Sequence, residues 1–209
     1  MQQPMKFLEP SATTTEANLG ARVRDIRKSR KWTLKEVAER TGLAISTISK
    51  MERGEISLTY DRFMRLAQGL GLDVGELFDA EAEGFSHGTV SVTRVGDAPV
   101  HRSATYDYDM LASDVTGKHM VPMVGHIKAH SFGVFEDFIS HPGEEFIYVI
   151  EGTLDVHLKG REPITLTKGD SIYFDSGLGH AYVSTSEKDA TVLGVCWKPG
   201  EQRSGGTSI

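Results

Sequence analysis

Two hydrophobic periods divide the chain. Over residues 17–78 apolar positions recur at helical spacing, with Leu19, Val23 and Ile26 interleaved by basic residues. Thr33-Leu-Lys-Glu36 reads as a Thr-x-x-Glu capping box, in which the hydroxyl and the carboxylate satisfy orphan N–H groups at a helix start. Val37 and Ala38 then face inward, and Gly42 is placed to take the positive φ that ends a helix. The pattern resumes over Ile45–Arg53, stops at Gly54, and returns over Asp61–Gly69 and Val74–Phe78. Five short helices in about sixty residues predict a compact bundle.

From Thr89 onward the period becomes two. Thr89–Val95 and Thr153–Leu158 alternate, and Phe146-Ile-Tyr-Val-Ile150 is nearly all apolar and β-prone, as a strand buried on both faces would be. Gly169-Asp170 and Ser176-Gly-Leu-Gly179 punctuate the run, so short strands at this spacing predict a β-sandwich or barrel. The acidic, glycine-bearing stretch over 79–88 reads as a linker, and the polar stretches over 1–16 and 200–209 as disordered tails.

Charge sharpens this division. Residues 17–78 carry 12 Lys and Arg against 8 Asp and Glu, whereas residues 79–209 carry 10 against 19, within a net charge of −6. A basic front on an acidic back points to two domains with different partners. Hydrophobic residues make up 39% and charged residues 25% of the 209, as in ordinary globular proteins. No apolar run is long enough for a membrane span, and the N-terminus lacks the basic start and apolar core of a secretion signal. The single cysteine, Cys196, cannot form an internal disulfide; with the missing signal this predicts a cytoplasmic protein. Between Val195 and Trp197 it reads as a buried strand thiol rather than a nucleophile.

Candidate chemistry lies in both halves. In the front half Ala38 suits a helix crossing, Gly42 a tight turn, and Ile48 and Met51 the inner face of a second helix. Its outer face, with Ile45, Ser46, Thr47, Ser49 and Lys50, is then free to enter a DNA major groove. This layout resembles the Xre/Cro-like helix-turn-helix family, most specifically in "STISKMERG". The resemblance implies double-stranded operator DNA as partner, a homodimer on a palindromic site, and a supporting role for Glu52-Arg53-Gly54. Ala44 replaces the expected serine-like cap, a loss of about 1 kcal/mol.

In the back half His141 stands four residues before Glu145, and Gly152 seven after it, while Gly169 opens a second segment that ends at His180. These two motifs resemble those of the cupin superfamily, with Asp175 where proline is usual and Ile139 where a first histidine is usual. The resemblance implies a fold in two domains, α+β overall: an all-α helix-turn-helix bundle over 17–78 and an all-β cupin jelly-roll barrel over 89–199. It also implies His141, Glu145 and His180 as ligands for one divalent metal (Fe, Zn, Mn or Ni), and tight turns at Gly152 and Gly169. Tyr106, Tyr108, His141, Glu145, Tyr148 and His180 are the expected effector-binding wall. His130 is expected at its mouth, His101 and His157 on the surface, and Lys31 within reach from the front domain.

Two functions fit. The first is a DNA-binding transcriptional regulator whose barrel senses a small-molecule effector. The second, from a more distant similarity to fosfomycin-forming epoxidases, is a non-haem Fe(II) oxygenase using the His/Glu/His triad.

Overall fold

The computed structural model describes residues 15–72, 76–77 and 83–197. Four helices open it: α1 (Thr15–Ser29), α2 (Leu34–Thr41), α3 (Ile45–Glu52) and α4 (Tyr60–Leu70). The capping box forms as expected: Glu36 N donates to Thr33 Oγ1 at 3.2 Å, and Thr33 N donates to Glu36 Oε2 at 2.7 Å. Gly42 takes φ +67°, and its N–H donates to Ala38 O at 2.9 Å, so the chain turns directly into α3. Ala44 makes no side-chain cap bond. Val23, Val37, Ile48, Phe63, Leu66 and Leu70 are wholly buried and form the bundle's core. The expected helix over Val74–Phe78 lies largely outside the described residues, as do most of both tails.

Glu52 shows how the bundle is locked. Its buried carboxylate accepts two bonds from the Arg27 guanidinium, at 2.6 and 2.8 Å, and Arg27 also donates to Trp32 O at 3.0 Å. The C-terminal end of α3 is thereby fixed to α1, which fits the supporting role expected for the Glu52–Gly54 segment.

The second domain is two facing sheets. One has six strands in the order β2 (Val100–Arg102), β3 (Tyr106–Met110), β5 (Met120–Ile127), β11 (Ala190–Trp197), β6 (Glu144–Glu151) and β9 (Ser171–Asp175). The other has three in the order β10 (His180–Ser184), β7 (Thr153–Leu158) and β8 (Ile164–Thr167). A two-residue parallel ladder joins β1 (Glu83–Gly84) to β4 (Val115–Thr116). Period-two alternation buries one face of β11, where Ala190, Val192, Gly194 and Cys196 are the inner row, whereas all of β10 is buried. The tight turn between β6 and β7 uses Gly152 at φ +85°; a Cβ there would meet Ala190 Cα at 3.0 Å.

Two expectations need correction. Thr89–Val95 alternates in sequence but is not a strand; Val90, Val92 and Val95 point to solvent. Alternation sets only a local preference, and a strand needs a pairing edge: the six-stranded sheet ends instead on β2. His101 is not on the surface but 2% exposed, packed between the domains. Its Nε2 lies 2.8 Å from Leu58 O, which can only accept, so that nitrogen carries the proton; the ring stacks on Phe63 at 4.8 Å. Leu58, Phe63 and the neighbouring Tyr60 thus bind the start of α4 to the barrel.

Candidate metal centre and recognition surface

Strand alternation decides which side chains enter the barrel. Along β6, Glu145, Ile147 and Val149 turn inward, while Glu144 and Tyr148 turn out. Tyr148 is 41% exposed and is not part of the cavity wall, so its place among the effector-binding residues is corrected. On the adjacent strand Cys196 is the register partner of Glu145, and such pairs project from the same face. His180 opens β10, held by a two-way backbone bridge to Ile139 at 2.8 and 3.1 Å. His141 is fixed by its N–H to Ser176 O at 2.9 Å.

These supports converge three donors. His141 Nε2 is 3.2 Å and His180 Nε2 3.4 Å from Glu145 Oε2. The other Glu145 oxygen accepts from Tyr182 Oη at 2.7 Å, which orients the carboxylate. His180 Nδ1 is 2.8 Å from the Leu178 carbonyl, which can only accept, so Nδ1 carries a proton and Nε2 is the atom turned toward Glu145. His141 Nε2 and Glu145 Oε2 are buried with no polar partner of good hydrogen-bond geometry beyond this cluster among the described residues. Burial alone would push the Glu145 carboxyl up; the two imidazoles and the Tyr182 hydroxyl outweigh it and hold the carboxyl below its ordinary range. Cys196 completes a second grouping, since ligand atoms of His141, Glu145 and Cys196 all lie within 4.8 Å of one another.

The cavity around these groups is nearly full. Tyr108, Ile139, Tyr182 and the ligands line it, and Tyr60 enters from α4. Its free volume is about 10 Å³, room for roughly one water molecule or ion. The Tyr60 ring is 5.4 Å from Tyr108 and 5.7 Å from His141. Its hydroxyl is buried beside the Cys196 thiol and has no hydrogen-bond partner of good geometry among the described residues. Burial first, then the neighbouring Cys196 sulfur and the Glu145 carboxylate, push that hydroxyl well above its ordinary pKa.

The remaining expected wall residues are distributed as follows. Tyr108 lines the cavity. Tyr106 does not: it is a brace behind the wall, accepting from Tyr182 N at 2.9 Å and donating to Tyr182 O at 3.1 Å. Lys31 is exposed and absent from the wall; the front-domain residue that reaches the cavity is Tyr60. His130 pairs with Asp189 at 2.9 Å on the surface, not at the mouth, and His157 is half-buried against Phe132 at 4.7 Å. Tyr60 and Cys196 are the residues that sequence reasoning missed. The inward row of β11 could have signalled Cys196; nothing in the sequence ties Tyr60 to a cavity in the other domain.

On the bundle, Ile48 and Met51 bury the inner face of α3 against the core. Ile45, Ser46 and Lys50 are exposed, and Thr47 and Ser49 half-buried. Arg53, exposed and held by Glu55, donates to Ser49 and adds a cation to that face.

A helix-turn-helix family model matches residues 23–77, and a cupin domain model matches residues 133–196. The chain carries a helix-turn-helix region followed by a cupin domain. Among solved structures it is similar to an HTH_3 family transcriptional regulator from Vibrio cholerae, at 20% identity and TM-score 0.58, over 89% of this chain and 98% of that one. It is also similar to hydroxypropylphosphonic acid epoxidase from S. wedmorenis, at 20% identity and TM-score 0.47, over 89% of this chain and 100% of that one. At this identity the likeness to the Vibrio cholerae protein establishes shared fold alone. No curated protein matches the chain. No helix among the described residues is long and apolar enough to cross a membrane.

Proposed function

We propose that this protein is a DNA-binding transcriptional regulator whose cupin barrel reports its occupant to the helix-turn-helix domain. The observation that carries the reading is Tyr60. It is the first residue of α4, in the helical domain, yet its ring forms part of the barrel's cavity wall. With about 10 Å³ free, an ion that draws in His141 moves the group on which the Tyr60 ring packs at 5.7 Å, and anything larger must displace that ring. Displacement acts on α4, whose neighbour α2 supports the recognition helix α3. Coupling then requires only that the occupant bind the two arrangements with different affinity.

Ile45, Ser46, Thr47, Ser49 and Lys50 are the proposed DNA-contacting residues, with hydroxyls on bases or phosphates and Lys50 on phosphate or guanine. One such module reads few base pairs, so a homodimer on a palindromic operator is part of the proposal. His141, Glu145 and His180 fit one divalent metal. Donor atoms around a tetrahedral ion with bonds of about 2.05 Å stand about 3.3 Å apart, and the two pairs that include Glu145 stand at 3.2 and 3.4 Å. When bound, the ion would supply a positive charge between the His141 nitrogen and the Glu145 oxygen, which are buried and face only each other and His180. Tyr182 and the Leu178 carbonyl orient these ligands whether or not the ion is present. The oxygenase reading is the less favoured, because the closed cavity has no room for an organic substrate beside an ion.

The test is selection of bound fragments from random-sequence DNA by the full chain, followed by affinity measurements over a salt series. The proposal expects a palindromic consensus and a linear fall of log affinity with log salt. Absence of any site preference at every salt concentration would refute it.

A further inference from the structure

We infer that Cys196 is a fourth protein ligand, so that the barrel holds a closed four-coordinate site for a single thiophilic divalent ion. The inference rests on the metal reading of the cavity given above and adds to it. The usual first histidine of the motif is absent, and Ile139 at that place offers only carbon. The replacement comes from another strand. Cys196 is the cross-strand partner of Glu145, faces the same interior, and is 3% exposed. Its sulfur, His141 nitrogen and a Glu145 oxygen lie within 4.8 Å of one another. Around an ion bonded to sulfur at about 2.3 Å and to nitrogen or oxygen at about 2.05 Å, the sulfur would stand about 3.6 Å from each of the other two. Closing onto the ion therefore asks these three atoms to draw together, with His180 joining from its 3.4 Å contact with Glu145.

Charge favours the same assignment. A divalent ion held by two neutral imidazoles and one carboxylate leaves one uncompensated positive charge in a buried, largely apolar pocket. A thiolate cancels it, and such burial is costly otherwise. On binding, the thiol proton leaves to solvent and a metal–sulfur bond forms, with no change in oxidation state. A mixed sulfur and nitrogen set selects zinc or cobalt over manganese or magnesium. Four protein ligands also leave no open position, the arrangement of a structural or sensing ion rather than of an oxygen-activating one.

The experiment is titration of the metal-free full chain with Co(II), read by its absorption spectrum. The chain has one cysteine, so a thiolate-to-cobalt charge-transfer band can arise from Cys196 alone. The inference expects that band with one equivalent of cobalt, and its loss in Cys196→Ser together with roughly tenfold or greater weakening of binding. Cobalt uptake that is sensitive to His141→Ala but shows no thiolate band would overturn the inference and leave the three-ligand metal reading standing. No uptake at all would overturn both. Should Cys196→Ser fail to fold, X-ray absorption of the zinc-loaded wild type decides. A sulfur neighbour at about 2.3 Å supports the assignment, and a shell of nitrogen and oxygen only refutes it.

Discussion

Replacing Tyr60 by alanine should loosen both domains at once. The side chain belongs to α4 but is 4% exposed within the barrel wall. A buried aromatic removes about 150–250 Å² from water, worth roughly 4–6 kcal/mol at 25 cal/mol per Å² as an upper estimate. Its hydroxyl has at most a weak thiol partner in Cys196, and relief of that poorly met group returns about 1–3 kcal/mol. The net expected loss is about 1–5 kcal/mol. The chain has two tryptophans, and Trp32 reports on the bundle while Trp197 reports on β11. Urea unfolding followed in Trp197→Phe and Trp32→Phe backgrounds therefore reads the domains separately. With Tyr60 present the two traces should coincide; with Tyr60→Ala they should move to lower urea and separate. Tyr60→Phe should stay within about 1 kcal/mol of wild type or exceed it, since only a hydroxyl with at most a weak thiol contact is lost. A Tyr60→Ala protein with coincident traces and less than about 1 kcal/mol of change would refute the view that this ring joins the domains.

Further outcomes follow from other contacts. Arg27→Ala strands the buried Glu52 carboxylate and should cost about 3 kcal/mol in thermal unfolding; Arg27→Lys, unable to make both bonds, should recover only part of it. Ala44→Ser supplies the missing cap of α3 and should add about 0.5–1 kcal/mol, read as a higher Tm. The Thr33 backbone N–H, then its hydroxyl, hold the Glu36 carboxyl below its ordinary value. Its contribution is therefore present above the ordinary carboxylate range and is lost as pH falls through the lowered value. Glu36→Gln should flatten that part of the acid limb of a stability–pH profile. Lys50→Ala should weaken binding to all DNA sequences alike and lower the salt slope by about one, if its contact is to phosphate.

What the sequence made legible follows physical range. Local rules acted alone at the capping box of Thr33 and Glu36, the left-handed Gly42 and the uncapped Ala44, and each appears as expected. Period two placed Glu145 inside the barrel, yet the same rule applied to β6 should have excluded Tyr148 from the cavity, because residues three apart on a strand face opposite ways. Thr89–Val95 misled for a different reason: its alternation is real, but pairing is decided by distant strands. Cys196 beside Glu145 depends on the register of β11 against β6, and register is a tertiary property. Tyr60 in the barrel and His101 under Phe63 depend on how two domains dock, for which composition and period carry no signal.

The most direct test of the account is the affinity of the full chain for its selected operator, measured by fluorescence anisotropy with and without saturating Zn(II). Coupling through Tyr60 predicts at least about a fivefold change in affinity, and loss of most of that change in Tyr60→Ala. Equal affinities in both states, with the metal shown to be bound, would contradict it.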